Sequence, residues 1–140
     1  MIRACSSCGQ KNRIPTSRLA STGRCGKCGA DLPPAGAPID IPDLETFDAF
    51  ITQAQVPVLV DFWAAWCGPC RAVAPEVKRA AASLAGEALV LKVDTEAIPE
   101  LSARYNIRGI PNFMVFRDGE PVRQQPGAVG AAQLIGYVRS

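Results

Sequence analysis

The chain contains no histidine. This removes the usual general base, the usual pH switch and a common zinc ligand, so cysteine, aspartate, glutamate and lysine must carry any such chemistry. Aromatic residues make up only 6% of the 140 residues, and none lies between Met1 and Leu32. A segment with no ring to stack on bases is not expected to bind nucleic acid, whatever its charge. No apolar run reaches the ~18 residues of a membrane span. Met1-Ile2-Arg3-Ala4-Cys5 also lacks the apolar core of a secretory signal. A cytoplasmic, membrane-free protein acting as a monomer is the expectation.

Six cysteines are present, arranged as three Cys-x-x-Cys pairs. In a reducing compartment stable structural disulfides are rare, so clustered cysteines point to metal binding or catalysis. Hydrophobic residues at 48% and charged residues at 20% are ordinary globular usage, which excludes wholesale disorder. The net charge of +2 is unevenly spread: Arg3, Lys11, Arg13, Arg18, Arg24 and Lys27 against Asp31 give +5 for residues 1–32, leaving −3 for the rest.

Three prolines and no charge in residues 32–38 mark a semi-rigid connector. The expected organisation is a cysteine-bearing module over 1–32, a proline-rich linker over 33–38 and a larger domain over 39–140. The module is too small to bury much of a core and needs a metal or disulfides to fold.

Past the linker, helical and strand patterns alternate. Asp43 caps a helix to about Ala54 with Leu44, Phe47, Phe50 and Ile51 on one face. Residues 56–65 read as a central strand buried on both faces. Val73, Ala74, Val77, Ala81 and Leu84 recur at helical spacing after Cys67. Leu89–Val93 is a second buried strand, Pro99 opens a short helix, and Asp118-Gly119 turns a hairpin between 112–117 and 121–125. A last helix spans 131–139, and 39–42 is a possible edge strand. The class is α/β, with a mixed sheet between helix layers.

Trp66-Cys67-Gly68-Pro69-Cys70 falls where the central strand meets its helix. Cysteines at i and i+3 in a first helical turn share a face and exchange a disulfide with little backbone movement. A thiolate at the helix end is favoured by the macrodipole, so Cys67 is expected to be the more acidic and more exposed, with Cys70 resolving from inside. A third metal knuckle or a pair of inert core thiols are the alternatives. Against the knuckle, Cys70 is followed by Arg71 inside a helical pattern, whereas Cys8 and Cys28 are followed by Gly9 and Gly29.

The run Val60-Asp61-Phe62-Trp63-Ala64-Ala65-Trp66-Cys67-Gly68-Pro69-Cys70, continued by Ile107-Arg108-Gly109-Ile110-Pro111, Asp118-Gly119 and Gly127, resembles the thioredoxin family. The resemblance implies a thioredoxin fold and reduction of cytosolic protein disulfides through the Cys67–Cys70 redox disulfide. It also implies thioredoxin reductase as electron donor, and substrate contacts at Trp66, Gly68, Pro69, Ile110, Pro111 and Gly127. It gives Pro111 a cis peptide bond. Asn112 follows where most members carry threonine. No organic cofactor is implied.

Asp61 lies in an apolar strand where desolvation raises a carboxyl pKa, which suits a proton acceptor for Cys70; a structurally paired carboxylate is the other reading. Lys92 interrupts a buried strand and either snorkels outward or pairs with Asp61. The resemblance makes it the lysine near the buried aspartate. Trp63 is read as core or as packing beside the site.

Cys5, Cys8, Cys25 and Cys28 form two pairs separated by 16 residues, the spacing of a four-cysteine zinc site. Gly9 and Gly29 are expected to turn the chain and aim N–H donors at the sulfurs. Extra redox disulfides, or a zinc site that senses oxidation, are the alternatives. The segment resembles the amino-terminal extension of the zinc-containing thioredoxin 2 group, which implies one structural zinc. The function expected is thiol–disulfide exchange. An oxidase or isomerase on the same fold, and a redox-regulated zinc-dependent binding module or chaperone, are the rivals.

Overall fold

A computed structural model describes all residues, Met1–Ser140. The amino-terminal segment forms two small hairpins. In the first, β1 (Ile2–Ala4) pairs antiparallel with β2 (Lys11–Arg13); in the second, β3 (Gly23–Arg24) pairs with β4 (Asp31–Leu32). Each hairpin carries one Cys-x-x-Cys pair in its loop. A 3₁₀ turn at Thr16–Arg18 lies between them.

The remainder is built on a five-stranded sheet whose strands are β5 (Ile39–Asp40), β6 (Val58–Trp63), β7 (Leu89–Asp94), β8 (Asn112–Arg117) and β9 (Glu120–Pro126). Their order is β5-β7-β6-β8-β9, with β5, β7 and β6 parallel and β8 and β9 antiparallel additions. The helices are α1 (Leu44–Gln53), α2 (Gly68–Ser83), α3 (Pro99–Arg104) and α4 (Ala131–Arg139). Asp43 caps α1 by accepting the Thr46 N–H at 2.8 Å. Asp118 and Gly119 both take positive φ at the β8–β9 turn, as a two-residue hairpin loop demands. The expected elements all form, with some ends shortened by a few residues and β7 and β9 longer than expected by a residue at one end or both. The four short strands of the amino-terminal segment had no apolar alternation to announce them.

Two hydrophobic clusters sandwich the sheet, and the period-2 alternation of each strand assigns its side chains between them. Val58, Val60 and Phe62 face the α1 and α3 side with Leu89, Leu91, Val93, Met114 and Phe116. Leu59, Val90, Phe113 and Val115 face α2 and α4. Leu19 belongs to the first cluster: it is fully buried with Phe47 and Phe50 of α1, and its carbonyl accepts the Ala35 N–H at 2.8 Å. The amino-terminal segment and the proline-rich connector are therefore laid against the α1 face.

Candidate active site and metal site

Strand alternation decides what lies beneath the redox pair. Asp61 shares its strand face with Leu59, so its carboxyl points to the side covered by α2, which carries Cys70. There it is 1% exposed and its Oδ1 has no hydrogen-bond partner. Burial pushes its pKa up to about 7, with the Lys92 charge pulling weakly the other way.

Lys92 faces Asp61 directly across the β6–β7 ladder. It takes neither of the two courses expected of it in full. No ion pair with Asp61 forms, and Lys92 Nζ instead sits 4.5 Å from the centroid of the Trp63 ring.

Cys67 is the N-cap of α2, and the Cys70 N–H points at its sulfur from 3.1 Å. Gly68 and Pro69 occupy the first turn, where the N–H that proline lacks has no intrahelical partner. The two cysteines are disulfide-bonded with Cα atoms 5.2 Å apart. The expectation that Cys67 is the more exposed needs correcting: Cys67 is 3% and Cys70 4% exposed in this oxidised form. Trp63 and Ile110 pack against both, and what distinguishes the two sulfurs is position in the helix.

The loop before β8 closes the site from the other side. Ile110–Pro111 is a cis peptide bond, and the Ile110 carbonyl oxygen lies 3.7 Å from Cys67 Sγ. Gly127, at φ +91°, donates its N–H to the Pro111 carbonyl at 2.8 Å, which brings the end of β9 beside the same loop. Trp66 is 67% exposed and donates its indole N–H to Glu96 at 2.9 Å. The Glu96 contact has no signature in the sequence, because the partners are 30 residues apart and joined only through the β6–β7 crossover.

In the amino-terminal segment the four sulfurs of Cys5, Cys8, Cys25 and Cys28 all lie within 4.8 Å of one another. Cys5–Cys28 and Cys8–Cys25 are each 3.6 Å apart, and none of the four is in a disulfide. Four thiolates at zinc–sulfur distances of about 2.3 Å span tetrahedral edges of about 3.8 Å, so the cluster fits zinc. The donors to sulfur differ from those expected. Gly9 and Gly29, at φ +76° and +74°, send their N–H groups to the Cys5 and Cys25 carbonyls, closing each knuckle. The Lys27 N–H and the Asn12 amide point instead at Cys25 Sγ, from 3.4 and 3.6 Å. Backbone N–H groups, led by those of Cys28 and Lys27, hold Cys25 down to about 6. Asn12 also accepts the Gly26 N–H at 3.0 Å, tying the first hairpin to the second knuckle.

Residues 40–140 match the family described as thioredoxin. The chain belongs to the thioredoxin family. Residues 4–30 match a second family, thioredoxin 2, N-terminal, a zinc ribbon. Thioredoxin C-3 of Corynebacterium nephridii is 40% identical over 134 residues, covering 96% of this chain and 90% of that one. The bifunctional thioredoxin reductase/thioredoxin of Mycobacterium leprae is 38% identical over 105 residues, 75% of this chain and 23% of its own length. Among solved structures, a mutant thioredoxin from Halobacterium salinarum aligns with a TM-score of 0.69 at 30% identity, over 75% of this chain and 90% of that one. The protein is thus a thiol–disulfide oxidoreductase of the thioredoxin type, a protein-disulfide reductase on a thioredoxin fold with a zinc-ribbon segment before it. No helix is long and apolar enough to cross a membrane.

Proposed function

We propose that the Cys67 thiolate attacks one sulfur of a substrate protein disulfide. That S–S bond breaks, a Cys67–substrate mixed disulfide forms, and the departing substrate thiolate takes a proton. Asp61 then accepts the Cys70 proton, and Cys70 attacks Cys67 sulfur. The second substrate thiol leaves and the Cys67–Cys70 bond closes, so two electrons have passed to the substrate. The observation that carries this reading is the position of Cys67 at the α2 N-cap, with the Cys70 N–H 3.1 Å from its sulfur. An amide there favours the thiolate before attack and as leaving group during resolution.

Trp66, Gly68, Pro69, Ile110, Pro111 and Gly127 form the surface that receives the substrate chain, and Lys92 tunes Asp61. The electron donor is thioredoxin reductase, and the substrates are cytosolic proteins bearing disulfides. The existence of a single-chain fusion of the two activities in a relative supports that coupling. We read the protein as a cytoplasmic monomer divided into 1–32, 33–38 and 39–140. The pairing of β1–β4 only among themselves supports the division.

One zinc ion, held by Cys5, Cys8, Cys25 and Cys28, would supply structural cross-linking and charge neutralisation for four crowded sulfurs. With four protein ligands no position is left for a substrate. Zinc measured on reduced protein is expected at one per chain.

An insulin-type disulfide-reduction assay tests the enzyme reading. Cys67→Ser is expected to abolish turnover, while Cys70→Ser accumulates mixed disulfides. Slow reduction indifferent to Cys67→Ser would overturn the assignment.

A further inference from the structure

On the α2 side of the sheet, one row of residues crosses three adjacent parallel strands. Asp40 of β5 is in register with Lys92 of β7, and Lys92 is in register with Asp61 of β6. Residues in register on parallel strands present their side chains to the same face. Burial of Ile41, Leu91 and Val93 in the α1-side cluster, and of Leu59 and Val90 in the other, fixes that face as the α2 side. The Lys92 carbonyl accepts the Ile41 N–H at 3.0 Å, which holds the short edge strand at this register. Lys92 therefore stands between two aspartates, one enclosed and one at the edge of the sheet.

A cavity of about 300 Å³ lies over the outer part of the row. Asp40 and Lys92 line it from the sheet, Ala74 and Lys78 from α2, and residues 36–38 from the proline-rich connector. None of its three charged groups is in an ion pair, since the salt bridges of the molecule join Glu76 to Arg79, Asp48 to Arg104 and Glu87 to Arg139. Unpaired charges act on their surroundings instead of being cancelled at short range. The other neighbours of Asp61 bring no charge: Phe113 faces it from β8, Trp63 follows it on β6, and Cys70 of α2 is held in the disulfide. The charges that bear on Asp61 are thus Lys92, Lys78 and Asp40.

We propose that Asp40 is a positioning residue for the resolving step, offsetting the Lys92 and Lys78 charges in this cavity so that Asp61 keeps the strength to accept the Cys70 proton. This rests on the reading of Asp61 as that base. Two lysines beside a buried carboxyl favour its ionised form and weaken it as a proton acceptor. A carboxylate on the far side of Lys92 acts in the opposite sense. A strand spacing of about 4.8 Å places the Asp40 and Asp61 backbones about 10 Å apart, which is within the Debye length at low salt. Asp40 is exposed and Asp61 is enclosed, so the outer carboxylate influences the inner one without sharing its proton.

The test is a charge series at position 40, with the Asp61 midpoint followed by its carboxyl carbon NMR signal in oxidised protein at low ionic strength. Asp40→Asn is expected to lower the midpoint by about 0.3–0.5 pH, and Asp40→Lys by about twice that. Asp40→Glu, which restores the charge, should leave it near the wild-type value. Release from a preformed Cys67 mixed disulfide needs ionised Asp61, so its rise with pH should move down by the same intervals. A midpoint or a release profile that is the same across the series, while Lys92→Met still moves the midpoint, overturns the role of Asp40 and leaves Asp61 as the base. Wild-type release in Asp61→Asn overturns both.

Discussion

Asp61 and Lys92 are direct neighbours across the β6–β7 ladder, yet they do not form an ion pair. The ammonium lies over the Trp63 ring at 4.5 Å, and the carboxyl keeps one oxygen without a partner. A paired aspartate is held as a carboxylate at every physiological pH. This one is left near the point at which it can both take and return a proton, which is what a shared base for Cys70 requires.

The arrangement has a cost in stability that depends on pH. The folded state holds the Asp61 proton to about 7, against an ordinary 3.8, so it binds that proton more tightly than the unfolded chain does. Stability is therefore full below about pH 4 and declines as pH rises to about 7, by on the order of 4 kcal/mol in total. Asp61→Asn removes the titration. In urea denaturation the variant is expected to match wild type at pH 4 and to exceed it by a margin that grows up to pH 7 and is flat above.

The same substitution is expected to slow the second half of the reaction. Removing a positioned base typically costs about 10²-fold or more. Stopped-flow measurement on a preformed Cys67 mixed disulfide should show slower release in Asp61→Asn, with formation of the mixed disulfide little changed.

Lys92 lowers the Asp61 pKa through its charge, although burial dominates. Lys92→Met keeps the chain length and removes the charge. The midpoint of Asp61, followed by the carboxyl carbon signal in NMR, should move above 7, and the pH profile of release should move with it.

Leu19 sits between the two cysteine pairs in sequence but is fully buried beside Phe47 and Phe50. Leu19→Ala is expected to destabilise the redox domain by about 2–5 kcal/mol, as for a core leucine. A shift in the urea midpoint followed by tryptophan fluorescence tests this directly, since Trp63 and Trp66 both lie in the redox domain.

Asn12 spans the two hairpins, donating toward Cys25 Sγ and accepting the Gly26 N–H. Asn12→Ala should weaken zinc binding about 10–100-fold by removing support for one ligand. Competition with a chromophoric chelator on reduced protein measures it, and unchanged affinity would show that Asn12 only braces the loop.

Much of the molecule was legible because its signals are local. An i, i+3 cysteine pair at a strand–helix junction, the Asp43 cap, the Asp118-Gly119 turn and the alternation along residues 58–63 each lie within a few residues, where backbone geometry translates pattern into structure. The paired cysteines at 5, 8, 25 and 28 were legible by spacing alone. The arrangements that set the chemistry were not. Whether Lys92 met Asp61 or the Trp63 ring depended on the direction of a long side chain at one register of two strands. The equal burial of Cys67 and Cys70 depended on Ile110, 43 residues beyond Cys67 in the chain. The reach of Leu19 into the α1 face, and the burial of Asn112 with its Oδ1 unpartnered, depended on how the faces of a finished sheet were shared out. The reason is physical: periodicity carries over one element, whereas desolvation and pairing are properties of the space between elements, which exists only once the chain has folded.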